Sequence, residues 1–174
     1  MIRFFKSTFV LFCLLSGIAS AHADVPVVTW PNGWEVEAIP QEDAKPNVFR
    51  QRAVKVDQGD TPVLVMELTM TQVESGHQVN LEGVLLEMRK SVQKDFFQSG
   101  YQSVCNKIHP ATLSRLSGLE TTCTITQNGR HVLSQTLVAA VDADKAYVFS
   151  YAGQAEAYKA SQDEIAAARN SLKL

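Results

Sequence analysis

Between Thr121 and Val141 the chain reads TTCTITQNGRHVLSQTLVAAV, two β-rich runs on either side of Asn128-Gly129. Asn-Gly supplies both of the positive-φ central residues that a two-residue type I′ turn requires. The chain must therefore fold back on itself here as a long antiparallel hairpin. With Gln127 opposite Arg130, Ile125 is expected to face Val132 and Cys123 to face Ser134. Cys123 then points to the same side as Leu119 and Ile125, while Leu133, Leu137, Ala139 and Val141 occupy the other face of the longer arm. Apolar residues on both faces call for a sheet covered on each side.

The remaining elements are arranged around that hairpin. DVPVVTWPNG, with two prolines and a turn, reads as an irregular arm. In WEVEAIP, Trp34, Val36 and Ala38 alternate with Glu35 and Glu37, a half-buried strand ended by Pro40. QEDAKPN is a polar connection. NVFRQRAVKVD and PVLVMELTM flank Gln58-Gly59-Asp60-Thr61 as a second hairpin, with Leu64, Met66, Leu68 and Met70 on one face. Methionines in such a row are core packing before they are soft-metal ligands.

Asn80 is placed to cap LEGVLLEMRKSVQKDFFQSG, where Leu81, Val84, Leu85, Met88, Val92 and Phe96 recur at helical spacing and Gly100 ends the helix. Asp142-Ala143-Asp144 turns the chain into KAYVFSYAG, whose Tyr147, Phe149 and Tyr151 read as the inner face of a strand beneath helices. AEAYKASQDEIAAARNSLKL is helical, starting near Ala155 with a bend at Ser161 or starting at Ser161 itself. Ser161 with Glu164 has capping-box spacing, and Tyr158, Ile165, Ala168 and Leu172 form an apolar stripe.

The first 23 residues have the three parts of a secretory leader: Arg3 and Lys6, an apolar run from Phe9 to Ile18, and Ala21-His22-Ala23. That run falls short of the roughly 20 residues needed to span a bilayer. Cleavage is expected after Ala23, with Ala21 the second choice. Cys13 belongs to the leader, because Phe12 before it does not suit a lipid-attachment site. Removing 23 of 174 residues leaves 151, enough for one domain, with 14 basic against 18 acidic residues and a formal charge of −4. This balance gives no basic footprint for nucleic acid or anionic lipid. The expected location is the periplasm or the exterior, with no membrane insertion after cleavage.

Cys105 and Cys123 therefore meet an oxidising compartment. A zinc or copper site could recruit them with His109 and His131, but the spacing has neither a cysteine knuckle nor a helical histidine pair. Nor is there the two-residue spacing of a redox pair. A structural disulfide is the expectation. If residues 104–116 ran unbroken to a tight turn at Ser117-Gly118, Cys123 would oppose Thr112, leaving Cys105 on the order of 23 Å away. A break is required, and His109-Pro110 is the expected place for it.

No glycine-flanked serine elbow, zincin helix, P-loop or dinucleotide-binding glycine cluster is present in the sequence. His77, His109 and His131 each stand alone, and His77 with Glu74 and Ser75 lies too close in sequence for an oriented triad. Trp30 and Trp34 are candidate partner contacts, or else caps on the core.

The order strand, hairpin, long helix, meander and C-terminal helix resembles the Mog1/PsbP-like group of α/β domains over roughly Trp34 to Leu172. The marks are the Trp34-x-Val36 strand ending at Pro40, Lys145-x-Tyr147 running into Tyr151, and Ser171-Leu172. The resemblance implies an accessory or binding protein without enzymatic activity, and it transfers no functional residue. The expected fold is α+β: a single domain from residue 24 to 174, with a twisted antiparallel sheet of about six strands between two main helices. One disulfide, Cys105–Cys123, is expected and no cofactor. The expected partner is a protein or envelope component. The rival reading is a metal-handling protein using His77, His109 and His131, with or without the cysteines.

Overall fold

The computed structural model describes residues 25–39 and 47–173. The leader, Pro40 and most of the polar connection after it lie outside them. The elements run β1 (Glu35–Ala38), β2 (Val48–Val56), β3 (Pro62–Gln72), α1 (Leu81–Gln98), β4 (Gln102–Cys105), β5 (His109–Leu113), β6 (Leu116–Gln127), β7 (Arg130–Asp142), β8 (Lys145–Gln154), α2 (Ala155–Ala160) and α3 (Gln162–Ser171). All strands join one antiparallel sheet of order β1-β2-β3-β8-β7-β6-β4, with β5 also on β6. The sheet has eight strands where about six were expected, and one of the additions arises because the flank of β6 is paired by two short pieces, β4 and β5.

Local signals account for most of the joints. The Asp57 side chain accepts the Gly59 and Thr61 amides and so closes the β2–β3 turn. Asn80 accepts the Gly83 amide at the start of α1, and Gly100, at φ 81°, terminates it. Asn128 and Gly129 both take positive φ, and so does Ala143 in the β7–β8 turn. The C-terminal helix starts at Ala155 and is interrupted at Ser161, giving α2 and α3.

Two layers of side chains sandwich the sheet. On one face Met66, Leu68, Met70, Val138, Ala140, Tyr147, Phe149 and Tyr151 pack beneath Ile165, Ala168 and Leu172, with Val28 and Trp34 of the N-terminal arm completing the layer. The arm is tied down by mutual backbone bonds between Val27 and Lys173. On the other face α1 packs Leu85 against Leu137 and Ala139, with Leu119 and Val148 around them. Each such side chain taken out of water contributes about 1.5–3 kcal/mol before entropy opposes it. The aromatic row is thus core, as its alternation implied.

The register of the β6–β7 hairpin and the burial of Val36 differ from expectation, and the turn before β6 falls elsewhere than the unbroken-strand geometry assumed. Gln127 does face Arg130, but a bulge between Ile125 and Thr126 shifts the register, so Ile125 opposes Leu133 and Cys123 opposes Gln135. The chain turns at Ser114-Arg115, not at Ser117-Gly118, since Leu113 opposes Leu116 and Ser114 holds φ 53°. Gly118 instead lies inside β6, where a Cβ would run into the Ala139 carbonyl oxygen. Finally, Val36 on β1 is 51% exposed, because the strand forms the sheet edge and the helices do not reach over it.

Candidate functional site

The turn at Ser114-Arg115 decides the geometry of the cysteines. An unbroken partner of β6 in the β5 register would set Asn106 against Cys123. The interruption at residues 106–108 shifts the pairing by one residue, and Cys105 lies directly opposite Cys123. The two are disulfide-bonded, with Cα atoms 3.9 Å apart. The break therefore precedes His109-Pro110, and Pro110 sits within β5. Asn106 bridges the gap: its amide donates to the Thr122 carbonyl, and its side-chain oxygen accepts the Thr122 amide and the Thr121 hydroxyl.

Next to this edge, α3 and β5 enclose a groove of about 510 Å³ lined by His109, Thr112, Glu120, Tyr151, Gln162 and Arg169, among others. Arg169 and Glu120, each 17% exposed, form an ion pair at 2.6 Å. The rest of the guanidinium fork donates to the Thr112 carbonyl. The far side of Glu120 faces His109 Nε2 at 3.7 Å. Burial, followed by the neighbouring Tyr158 phenol, pushes the Tyr151 phenol well above its ordinary range, so it remains neutral. Behind it Thr122, Thr136 and Tyr158 form a hydroxyl chain with contacts of 2.7 and 2.5 Å. The charges in this groove are held by one another and lock α3 to the sheet.

A second depression, of about 430 Å³, lies at the β6–β7 turn among Tyr101, Arg130, His131, Leu133 and Glu156. His131 Nε2 is 2.9 Å from the Ser134 hydroxyl and 3.0 Å from the Leu133 carbonyl, a contact the sequence spacing did not reveal. A carbonyl can only accept, so in this arrangement Nε2 carries the proton and cannot serve as a base toward Ser134. Ser134 is itself 5% exposed. A third hollow, of about 420 Å³, is lined by Gln93, Lys94, Phe97, Tyr101, Gln102 and Ser103 beside β4.

The tryptophans are placed as caps on the core. Trp34, 8% exposed, donates from its indole to Glu164, and Trp30 stacks on Phe149. His77 lies in the loop between β3 and α1, His109 opens β5, and His131 sits opposite Thr126 near the other end of β6. His109 and His131 are separated by six positions along β6, about 20 Å. Among the described residues no three His, Cys, Asp or Glu side chains group to hold a metal ion, and both sulfurs are spent on each other. Among the described residues, too, no helix is long and apolar enough to cross a membrane.

An antiparallel sheet with α1 on one face and α2–α3 on the other is a Mog1/PsbP-like fold. Residues 25–174 match the family described as a domain of unknown function (DUF4946), and the chain belongs to it. No curated protein matches the chain. Among solved structures it is similar to cyanobacterial PsbP (CyanoP) from Synechocystis sp. PCC 6803, with TM-score 0.62, 12% identity and 86% of each chain covered. It is also similar to LpqN, involved in cell envelope biogenesis of Mycobacterium tuberculosis, with TM-score 0.52, 16% identity, and 87% of this chain and 86% of that one covered. A Bacteroides thetaiotaomicron protein matches at TM-score 0.53 and 8% identity over 85% of this chain and 44% of its own length.

Proposed function

We propose that the protein is an exported, soluble, non-enzymatic accessory module that binds a protein partner or an envelope component. The observation that carries this reading is the mutual satisfaction of the polar groups in the groove between α3 and β5, next to a disulfide-pinned sheet edge. Arg169, Glu120 and the Thr112 carbonyl neutralise one another, which suits a rigid recognition surface more than a proton-transfer site. The leader-like first 23 residues and the disulfide support export. The likeness to LpqN, whose own role is in envelope biogenesis, points the same way.

The test is to express the full chain with a photo-crosslinking residue at Ala166, an exposed groove position. The expected product, recovered from the envelope fraction, has lost 23 residues and two hydrogens by mass, and it cross-links a defined envelope component. Retention in the cytoplasm with the leader attached and both thiols free would overturn the export reading. A mature chain that gives no cross-link would overturn binding through this groove.

A further inference from the structure

The two ends of the sheet are protected differently. At one end, the edge strand β1 carries Glu35 and Glu37, charges of a kind that discourage another strand from pairing there. At the other, β5 carries Pro110. Its neighbour β4, Gln-Ser-Val-Cys, has neither charge nor proline. The Asn106 amide bonds the Thr122 carbonyl, and alternation along the ladder then turns Gln102 and Val104 toward β6 and the backbone of Ser103 and Cys105 outward. Gln93 covers one of those outward groups, the Ser103 carbonyl, at 3.2 Å. The Ser103 and Cys105 amides and the Cys105 carbonyl face away from the sheet.

Apolar surface flanks this short edge on both sides. Val104 is 71% exposed and projects from one face of the strand, while Phe97, 77% exposed, stands with Tyr101 in the hollow on the α1 side. A lysine stands near each of its ends, with Arg130 and Glu156 lying beyond Tyr101 in the neighbouring depression. Lys94 lines the hollow beside Gln102 and Ser103, and Lys107 is exposed just past Cys105. Neither lysine is in an ion pair among the described residues, unlike Lys90, which is held by Glu87. No carboxylate lines the hollow. On a chain of formal charge −2, this is a pair of lysines framing an uncharged edge strand.

We propose that β4 is a docking strand for an extended partner segment with an apolar centre and acidic ends. The partner would add a strand to the sheet through the outward groups of Ser103 and Cys105. One bulky side chain would enter the Phe97–Tyr101 hollow, flanking apolar residues would cover Val104, and carboxylates would meet Lys94 and Lys107. Four residues of strand span about 13 Å, so three apolar positions between acidic ends match the frame. The Cys105–Cys123 bond acquires a purpose in this arrangement, since it fixes the receiving strand. The proposal rests on the binding-module reading and names its partner's chemistry.

The probe is the blocked heptapeptide Glu-Glu-Val-Phe-Val-Glu-Glu, titrated into the oxidised mature chain and followed by amide NMR. Saturable shifts at Ser103 and Cys105 are expected, with affinity falling at least tenfold in Lys94→Glu/Lys107→Glu and for a peptide with lysines replacing the glutamates. Both lysines are exposed and unpaired, so the variant should keep the wild-type spectrum elsewhere. Shifts confined to other surfaces, or equal binding by the lysine peptide, would overturn the proposal. So would sedimentation showing that β4 is already occupied by a second copy. Envelope cross-links from Ala166 without any peptide effect at β4 would sink this assignment alone and leave the binding-module reading standing.

Discussion

The Asn106 side-chain oxygen accepts the Thr122 amide at 2.8 Å, a bond that a continuous strand would have supplied from its backbone, and also the Thr121 hydroxyl at 3.1 Å. It thereby lets the edge shift register without leaving the β6 ladder unpaired, and the cysteines meet because of that shift. Replacing the oxygen removes the bridge while leaving the disulfide in place. Asn106→Ala should cost about 1 kcal/mol in urea-induced unfolding, with raised amide exchange at Thr122 as its local signature. Unchanged exchange there would show that the bridge is dispensable.

At the level of elements, α3 is held by a polar clamp at its first turn. Lys55 donates to the Ser161 hydroxyl at 3.1 Å and to Glu164 at 2.8 Å, and the Trp34 indole donates to the same carboxylate oxygen at 3.0 Å. The capping box suggested by Ser161 and Glu164 is not formed, because Ser161 makes no side-chain cap bond and both side chains answer to Lys55 instead. The Lys55 hydrogen bond holds the Glu164 carboxyl below its ordinary value of 4.5. Partial burial opposes that shift, and the Trp34 bond and the Lys55 charge reinforce it. A lowered folded-state pKa contributes stability above the unfolded value, and that stability is lost as pH falls through the folded one. Wild-type stability should therefore decline below about pH 5 partly through this group, and Glu164→Gln should remove that share of the slope. The pair is partly exposed, so its loss near neutral pH should be no more than about 1 kcal/mol.

For the molecule as a whole, the disulfide joins residues 18 apart in sequence and pins the edge farthest from β1. Constraining the unfolded chain through a loop of this size is worth about 3 kcal/mol. Cys105→Ser/Cys123→Ser should unfold at correspondingly lower temperature, and the reduced wild type should match it. A double variant as stable as the oxidised protein would show that the sheet edge needs no covalent support. The sheet is otherwise unequally covered, with a large, aromatic-rich layer under α3 and a smaller aliphatic one under α1, to which the helix contributes Leu85 as its buried residue.

Short-range chemistry was legible in the sequence. The Asn-Gly turn, the turn at Gln58–Thr61, the Asn80 cap, the Gly100 stop and the alternation that buried Met66, Met70, Tyr147 and Phe149 each depend on residues within one turn or strand. Contacts between distant segments were not legible. The bulge at Ile125, the Ser114-Arg115 turn and the use of Gly118 for close backbone approach all depend on which strand lies alongside. The Arg169–Glu120 pair and the Lys55 clamp join residues 49 and 109 positions apart, and no local pattern encodes such meetings. Export and a bonded cysteine pair were thus expectations the sequence could support by itself. Only the packed sheet decided that the cysteines oppose each other and that an uncharged edge strand sits between two lysines, because strand register is fixed by neighbours contributed from elsewhere in the chain.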